Sequence, residues 1–263
     1  MLGSIIGDIV GSPYEFHNIK SKDFELFSEN CCFTDDTILT CATAEWLLSN
    51  KKPEEILKKW GNLYKNRTYE NGKVDAFGQG FTKWLKTGEA YGAKTNGCIM
   101  RLSPIPLMID DLKLALKKAV ELTSITHNHP ESVLATRVYI ETMYMVKQGT
   151  SSQIIKNYIT NKYGYDLSKS VDEIRPDYNK FYCSCKNSVP QAIVCALDAN
   201  SYEDAIRNAV SLGGDSDTLA CMAGGIAEIK FGVPENIKEQ AFTFMDENVS
   251  NAVANFYKQL HTK

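Results

Sequence analysis

The sequence predicts an all-α fold organised as one domain over residues 1–263, and three observations predict it. Apolar residues recur at helical spacing along nearly the whole chain, whereas no convincing run alternates apolar and polar residues as a half-buried strand must. The helical patterns begin and end on helix punctuation: proline or an oxygen-bearing cap at the start, glycine or proline past the end. Finally, no linker-like, Ser/Gly-rich or low-complexity seam divides the 263 residues, and no repeat of helix-pair length recurs.

Residues 2–11 place Gly3, Gly7 and Gly11 on one helical face. An interior glycine costs about 1 kcal/mol relative to alanine, so three in register call for a close approach to that face, by another helix or by a ligand. Ser12-Pro13-Tyr14-Glu15-Phe16 ends this helix and leaves Glu15 in a loop between aromatics, and the polar residues 17–32 read as loop. Ile38, Leu39, Ala42, Trp46 and Leu47 mark a helix over 37–49. Pro53 opens the next, through Trp60, from its favoured first position.

Phe77-Gly78-Gln79-Gly80-Phe81 is a glycine-punctuated joint before a short helix containing Trp84. Residues 91–101 begin as a polar, glycine-bearing loop able to offer backbone N–H groups to an anion. They end in an apolar run with Arg101, a candidate partner for a phosphate or carboxylate. Pro104 and Pro106 then bend the chain. Residues 112–123 form an amphipathic helix, and Thr126-His127-Asn128-His129-Pro130 connects it to a helix running to 147, with Asn128 or His129 as its cap.

Residues 151–163 read as a further helix, while 164–186 show no clear periodicity. Val189-Pro190 opens a helix through Ala199, and Ser201-Tyr202-Glu203-Asp204 resembles a capping box for its successor. Gly232 and Pro234 end the helix that begins near Asp215. Helices over 235–247 and 251–260 complete the pattern.

A net charge of −3 offers no global basic field to draw the chain to nucleic acid or an anionic membrane. No apolar run approaches the length of a membrane span, and the apolar residues 1–10 lack a basic flank and carry Asp8, so neither a signal peptide nor a membrane segment is expected. The eight cysteines have neither disulfide-framework nor zinc-site spacing and read as reduced thiols of a cytoplasmic protein. A monomer is expected.

Two stretches concentrate acid. Phe33-Thr34-Asp35-Asp36-Thr37 and Gly213-Gly214-Asp215-Ser216-Asp217-Thr218 each feed an apolar helical pattern. Taken singly, each reads as a helix start, with Thr34 or Asp215 as cap and the remaining acids favouring the positive end of the helix dipole. Three features point further. Each motif holds more acid than a cap needs, its flanks are apolar or glycine, and no lysine or arginine lies within either. If the two meet, four carboxylates converge, and such a cluster stays ionised out of water only around a cation; oxygen-only donors select Mg²⁺, Mn²⁺ or Ca²⁺.

With these motifs the chain resembles the ADP-ribosylglycohydrolase family, which includes the dinitrogenase-reductase-activating glycohydrolases. The likeness runs through six motifs in order. They are Gly-x-x-x-Gly-Asp-x-x-Gly-x-Pro-Tyr-Glu over 3–15, Phe-Thr-Asp-Asp-Thr over 33–37, Asn-Gly-x-x-Met-Arg over 96–101, Thr-His-x-x-Pro over 126–130, Val-Pro-x-Ala over 189–192, and Gly-Gly-Asp-x-Asp-Thr over 213–218. The resemblance implies an orthogonal multi-helix bundle with a dinuclear metal site in a central cleft. In that site Thr34, Asp35, Asp36, Asp215, Asp217 and Thr218 would bind two Mg²⁺ ions, or Mn²⁺.

It further implies that Glu15 or Asp35 is the catalytic carboxylate, and that Gly78, Gly92, Asn96, Gly97 and His127 line the ADP-ribose pocket. Ser216, Cys98, Ile99 and Ala93 depart from residues usual in the family; none of them removes an implied metal ligand. The implied activity is Mg²⁺-dependent hydrolysis of the C1″ bond between ADP-ribose and a protein side chain such as Arg or Ser, or a small-molecule conjugate. Nucleic acid would be a partner only if it carries ADP-ribose. The alternatives are hydrolysis of O-acyl-ADP-ribose or ADP-ribosylated nucleic acid, or a non-catalytic ADP-ribose-binding or immunity protein.

Overall fold

The computed structural model describes residues 1–69 and 75–262. Among them the chain forms fourteen α-helices, two 3₁₀ turns, and a lone bridge between Thr95 and Ser184 in place of any sheet. In order these are α1 (Leu2–Gly11), a 3₁₀ turn (Ser12–Tyr14), α2 (Asp35–Leu47), α3 (Pro53–Tyr64), α4 (Gln79–Thr87), a second 3₁₀ turn (Asn96–Cys98), α5 (Pro104–Met108), α6 (Leu112–Ser124) and α7 (Pro130–Lys147). The remainder are α8 (Ser152–Tyr163), α9 (Val171–Ile174), α10 (Cys185–Leu197), α11 (Tyr202–Leu212), α12 (Ser216–Phe231), α13 (Glu235–Phe242) and α14 (Glu247–His261).

The core is built on α12, which packs against α1, α7, α10 and α11. All ten residues of α1 are buried. The three glycines settle the question their spacing raised: a Cβ on Gly3 would lie 2.4 Å from the carbonyl oxygen of Gly224, one on Gly7 2.1 Å from that of Ala220, and one on Gly11 2.5 Å from the Cα of Asp217. Helix backbones therefore meet along this face, and α1 and α12 approach more closely than any side chain allows. The seam holds the start of α12, with its acids, beside the end of α1.

The helix starts follow local chemistry in most places. Thr34 caps α2, His129 caps α7 by accepting from the Glu131 N–H, and Ser201 accepts from the Asp204 N–H. The reciprocal capping box is found elsewhere, at Ser170 and Glu173, where it starts α9 inside the stretch without periodicity. Four expected boundaries move. Pro104 starts the short α5 rather than a bend. Pro190 lies inside α10, which begins at Cys185. The last two helices run over Glu235–Phe242 and Glu247–His261, the latter capped by Asp246. All eight cysteines are free thiols, and among the described residues no helix is long and apolar enough to cross a membrane.

Candidate metal centre

The centre is assembled at helix ends. Asp8 projects from α1 toward the start of α2, where the first amide groups have no partner within their own helix. Its carboxylate accepts from the Thr34 N–H at 2.8 Å and the Thr34 hydroxyl at 2.7 Å, and from the Thr37 N–H at 3.0 Å and the Thr37 hydroxyl at 2.5 Å. This carboxylate, contributed by another helix, pins the orientation of the Thr34–Asp36 motif. The Thr34 hydroxyl also reaches Asp36 Oδ2 at 3.4 Å, and the Thr218 hydroxyl of α12 donates to the same oxygen at 3.2 Å. The two acidic motifs therefore meet, Thr218 to Asp36.

Asp215 sits at the cap position of α12 but makes no capping bond. Its Oδ2 instead accepts from the Asn96 side chain at 2.7 Å, so the carboxylate turns away from its own helix toward the 3₁₀ turn after Thr95. Glu15 follows the first 3₁₀ turn and is only 5% exposed. Two groups of buried carboxylates result: Asp8, Asp36 and Asp217 offer oxygens within 4.8 Å of one another, and so do Glu15, Asp215 and Asp217. Asp217 belongs to both.

The electrostatics favour a cation. Burial, reinforced by the charge of Asp217, pushes Asp8 up to about 7 despite four hydrogen bonds to its ionised form. Burial also lifts Asp36 well above the carboxylate range, with Asp217, Asp8 and Asp35 adding to the effect. Asp36 Oδ1 is buried without a hydrogen-bond partner, an uncommon condition for a carboxylate oxygen unless another ligand completes it. The donors are oxygens only, carboxylates with the Thr34 and Thr218 hydroxyls alongside, and this set fits a hard divalent cation.

The loop over 91–98 lies beside this cluster. Asn96 joins it directly through Asp215. Gly92 takes a left-handed φ of 61°, and a Cβ on Gly97 would lie 3.7 Å from His127 Nε2. His127 is buried between the Thr95 hydroxyl, 2.9 Å from Nε2, and the Thr126 hydroxyl, 2.8 Å from Nδ1, with Tyr91 packed edge-on at 5.0 Å. Burial and the nearby Arg101 charge lower His127 to about 3, so its ring is neutral at ordinary pH.

A model of the ADP-ribosylglycohydrolase family matches residues 1–256. The chain belongs to the ADP-ribosylglycohydrolase family. It is similar to the ADP-ribosylarginine hydrolase Tri1 of Pseudomonas putida, 26% identical over 92% of this chain and 73% of that one. It is also similar to the ADP-ribosylhydrolase ARH3 of Mus musculus, 23% identical over 95% and 88%. A solved structure from an ADP-ribosylglycohydrolase-related protein complex shares the fold, with a TM-score of 0.73 at 18% identity over 97% of this chain and 95% of that one.

In this ADP-ribosylglycohydrolase chain the candidate residues are not equally placed. Thr34, Asp36, Asp215, Asp217, Thr218 and Glu15 gather at the junction of α1, α2 and α12. Asp35 opens α2, half-buried, and lies outside both carboxylate groups. Gly78 is exposed at the cap of α4, where a side chain would meet nothing within 4 Å. Arg101 is fully buried and donates to the Leu122 carbonyl and the Thr126 hydroxyl, so it braces the end of α6 and the His127 connector. Asp8 was missed as a site residue. Its signal is that it is the single acid in the apolar segment 2–10.

Proposed function

We propose that this ADP-ribosylglycohydrolase is a Mg²⁺-dependent hydrolase that cleaves the C1″ bond between ADP-ribose and a protein side chain. The observation that carries the reading is the pair of buried carboxylate groups sharing Asp217. Asp8, Asp36 and Asp217 would hold one cation and Asp215 and Asp217 a second, with the Thr34 and Thr218 hydroxyls and the Glu15 carboxyl beside them. When bound, the cations would orient the distal ribose hydroxyls and lower the pKa of water.

The chain's own groups supply the rest. Hydrolysis at an anomeric carbon passes through an oxocarbenium-like state, which a nearby carboxylate stabilises while handling protons. Glu15 stands best for that part, because it lies buried in one carboxylate group with Asp215 and Asp217, whereas Asp35 lies outside both groups. Through Glu15 the proton of the attacking water can pass to the departing acceptor atom. Asp35 is the competing group, from the rim of the cluster. Asn96, through its bond to Asp215, would couple the ligand loop to the cluster, and the glycines of 92–97 leave room for a pyrophosphate against backbone N–H groups. His127, neutral and held by two hydroxyls, would bind by hydrogen bonding without adding charge.

The similarity to the ADP-ribosylarginine hydrolase Tri1 makes an arginine conjugate the first acceptor to test. Purified protein with Mg²⁺ is offered ADP-ribosylated arginine and serine peptides, O-acyl-ADP-ribose and an ADP-ribosylated oligonucleotide, and released ADP-ribose is measured. Release from a peptide conjugate is expected. Binding of ADP-ribose with turnover of none of the four would make the protein a binder and overturn the proposal.

A further inference from the structure

Glu15 lies on a segment that backbone hydrogen bonding barely restrains. Its N–H reaches the Ser12 carbonyl at 3.4 Å, and among the described residues no backbone–backbone hydrogen bond joins 12–20 to 212–216. The two segments are instead tied by side chains, chiefly one amide. Asn18 Nδ2 donates to the carbonyls of Tyr14 at 2.6 Å and Glu15 at 3.2 Å, and also to that of Gly214 at 3.1 Å; Asn18 Oδ1 accepts from the Gly214 N–H at 2.7 Å. The glycine turn is shaped for it. Gly213 and Gly214 both have a φ of 73°, and a Cβ on Gly213 would lie 3.0 Å from Asn18 Oδ1. Lys20 adds a brace, donating to the carbonyls of Tyr178 and Leu212.

We propose that Asn18 is a positioning residue for the reaction, fixing the Glu15 backbone to the turn that presents Asp215 and Asp217. The proposal rests on the reading of Glu15 as the proton-handling carboxylate. Only an amide meets both demands, donating to the Glu15 side while accepting from Gly214. Aspartate would keep the acceptor and lose the donor; alanine would lose both. Without the tie α1, α2 and α12 still pack through their own cores, so cation sites made of Asp8, Asp36 and Asp217 persist while Glu15 drifts. A displacement of about 1 Å in a reacting group can lower a rate on the order of 100-fold.

The test is a double-mutant cycle on the full chain, with Mg²⁺ and the conjugate the wild type hydrolyses best. Asn18→Ala is expected to lower kcat about 10- to 100-fold with KM changed less, and with Mn²⁺ affinity by calorimetry close to wild type. In a Glu15→Gln background the same substitution is expected to cost almost nothing further, because its effect runs through Glu15; a purely structural role would cost the same factor in both backgrounds. Should Asn18→Ala fail to fold by circular dichroism, Asn18→Asp carries the same cycle, and loss of the fold in both overturns the proposal. An additive cycle, or unchanged kcat in Asn18→Ala, overturns it while leaving the proposed function standing. A wild type that turns over no conjugate overturns both.

Discussion

Asp35 and Asp36 are neighbours in sequence and play different parts. At the start of a helix successive side chains point about 100° apart, so when Asp36 turns into the buried cluster Asp35 cannot follow it and stays at the rim. Sequence composition alone cannot separate such a pair, because both acids contribute equally to the motif. Thr34, Asp36, Asp215, Asp217 and Thr218 were legible because acids crowded at two helix starts exceed what caps require. Asp8 was not, because one carboxylate among isoleucines resembles an isolated exception until the Thr34 and Thr37 donors that receive it are seen. The difference between Glu15 and Asp35 is testable at this scale. Glu15→Gln is expected to slow single-turnover hydrolysis on the order of 100- to 10,000-fold while leaving Mn²⁺ affinity nearly intact, and Asp35→Asn to slow it less. The reverse order would move the proton-handling role to Asp35.

At the scale of elements, the α1–α12 seam decides where the acids stand. Gly7→Ala gains about 1 kcal/mol of intrinsic helix preference, yet its Cβ would lie 2.1 Å from the Ala220 carbonyl oxygen, on backbone that cannot rotate away. Overpacking of this kind typically costs about 1–3 kcal/mol or more. Gly7→Ala is therefore expected to lower Tm in thermal unfolding followed by circular dichroism; an unchanged or raised Tm would contradict the close approach.

Most helices were visible from apolar spacing, and the errors have local causes. Proline at 190 suggested a helix start, but α10 begins earlier because the Cys185 N–H bonds to the Lys94 carbonyl and the Asn96 N–H to the Cys183 carbonyl, contacts remote in sequence. Pro190 then lies inside α10, where it cannot donate to the Lys186 carbonyl. Residues 164–186 hid α9 because four residues are too few for periodicity to register. Only the Ser170 and Glu173 spacing could have marked it.

Over the whole molecule, the fold brings three helix ends to one point, α1 and α2 from the beginning of the chain and α12 from far along it, with Asp36 and Thr218 182 residues apart. Spacing could propose that the two acidic motifs converge, but their contact, Thr218 to Asp36, is a property of the packed core. The proposed hydrolysis requires the carboxylate groups to hold a divalent cation. Its most direct measurement is the release of ADP-ribose from the best conjugate before chelation, after chelation with EDTA, and after return of Mg²⁺, in the wild type and in Asp217→Asn. Wild-type release is expected to stop on chelation and recover with Mg²⁺, while Asp217→Asn, folded by circular dichroism, is expected to be inactive throughout. Undiminished release in EDTA, or wild-type rates in Asp217→Asn, would contradict it.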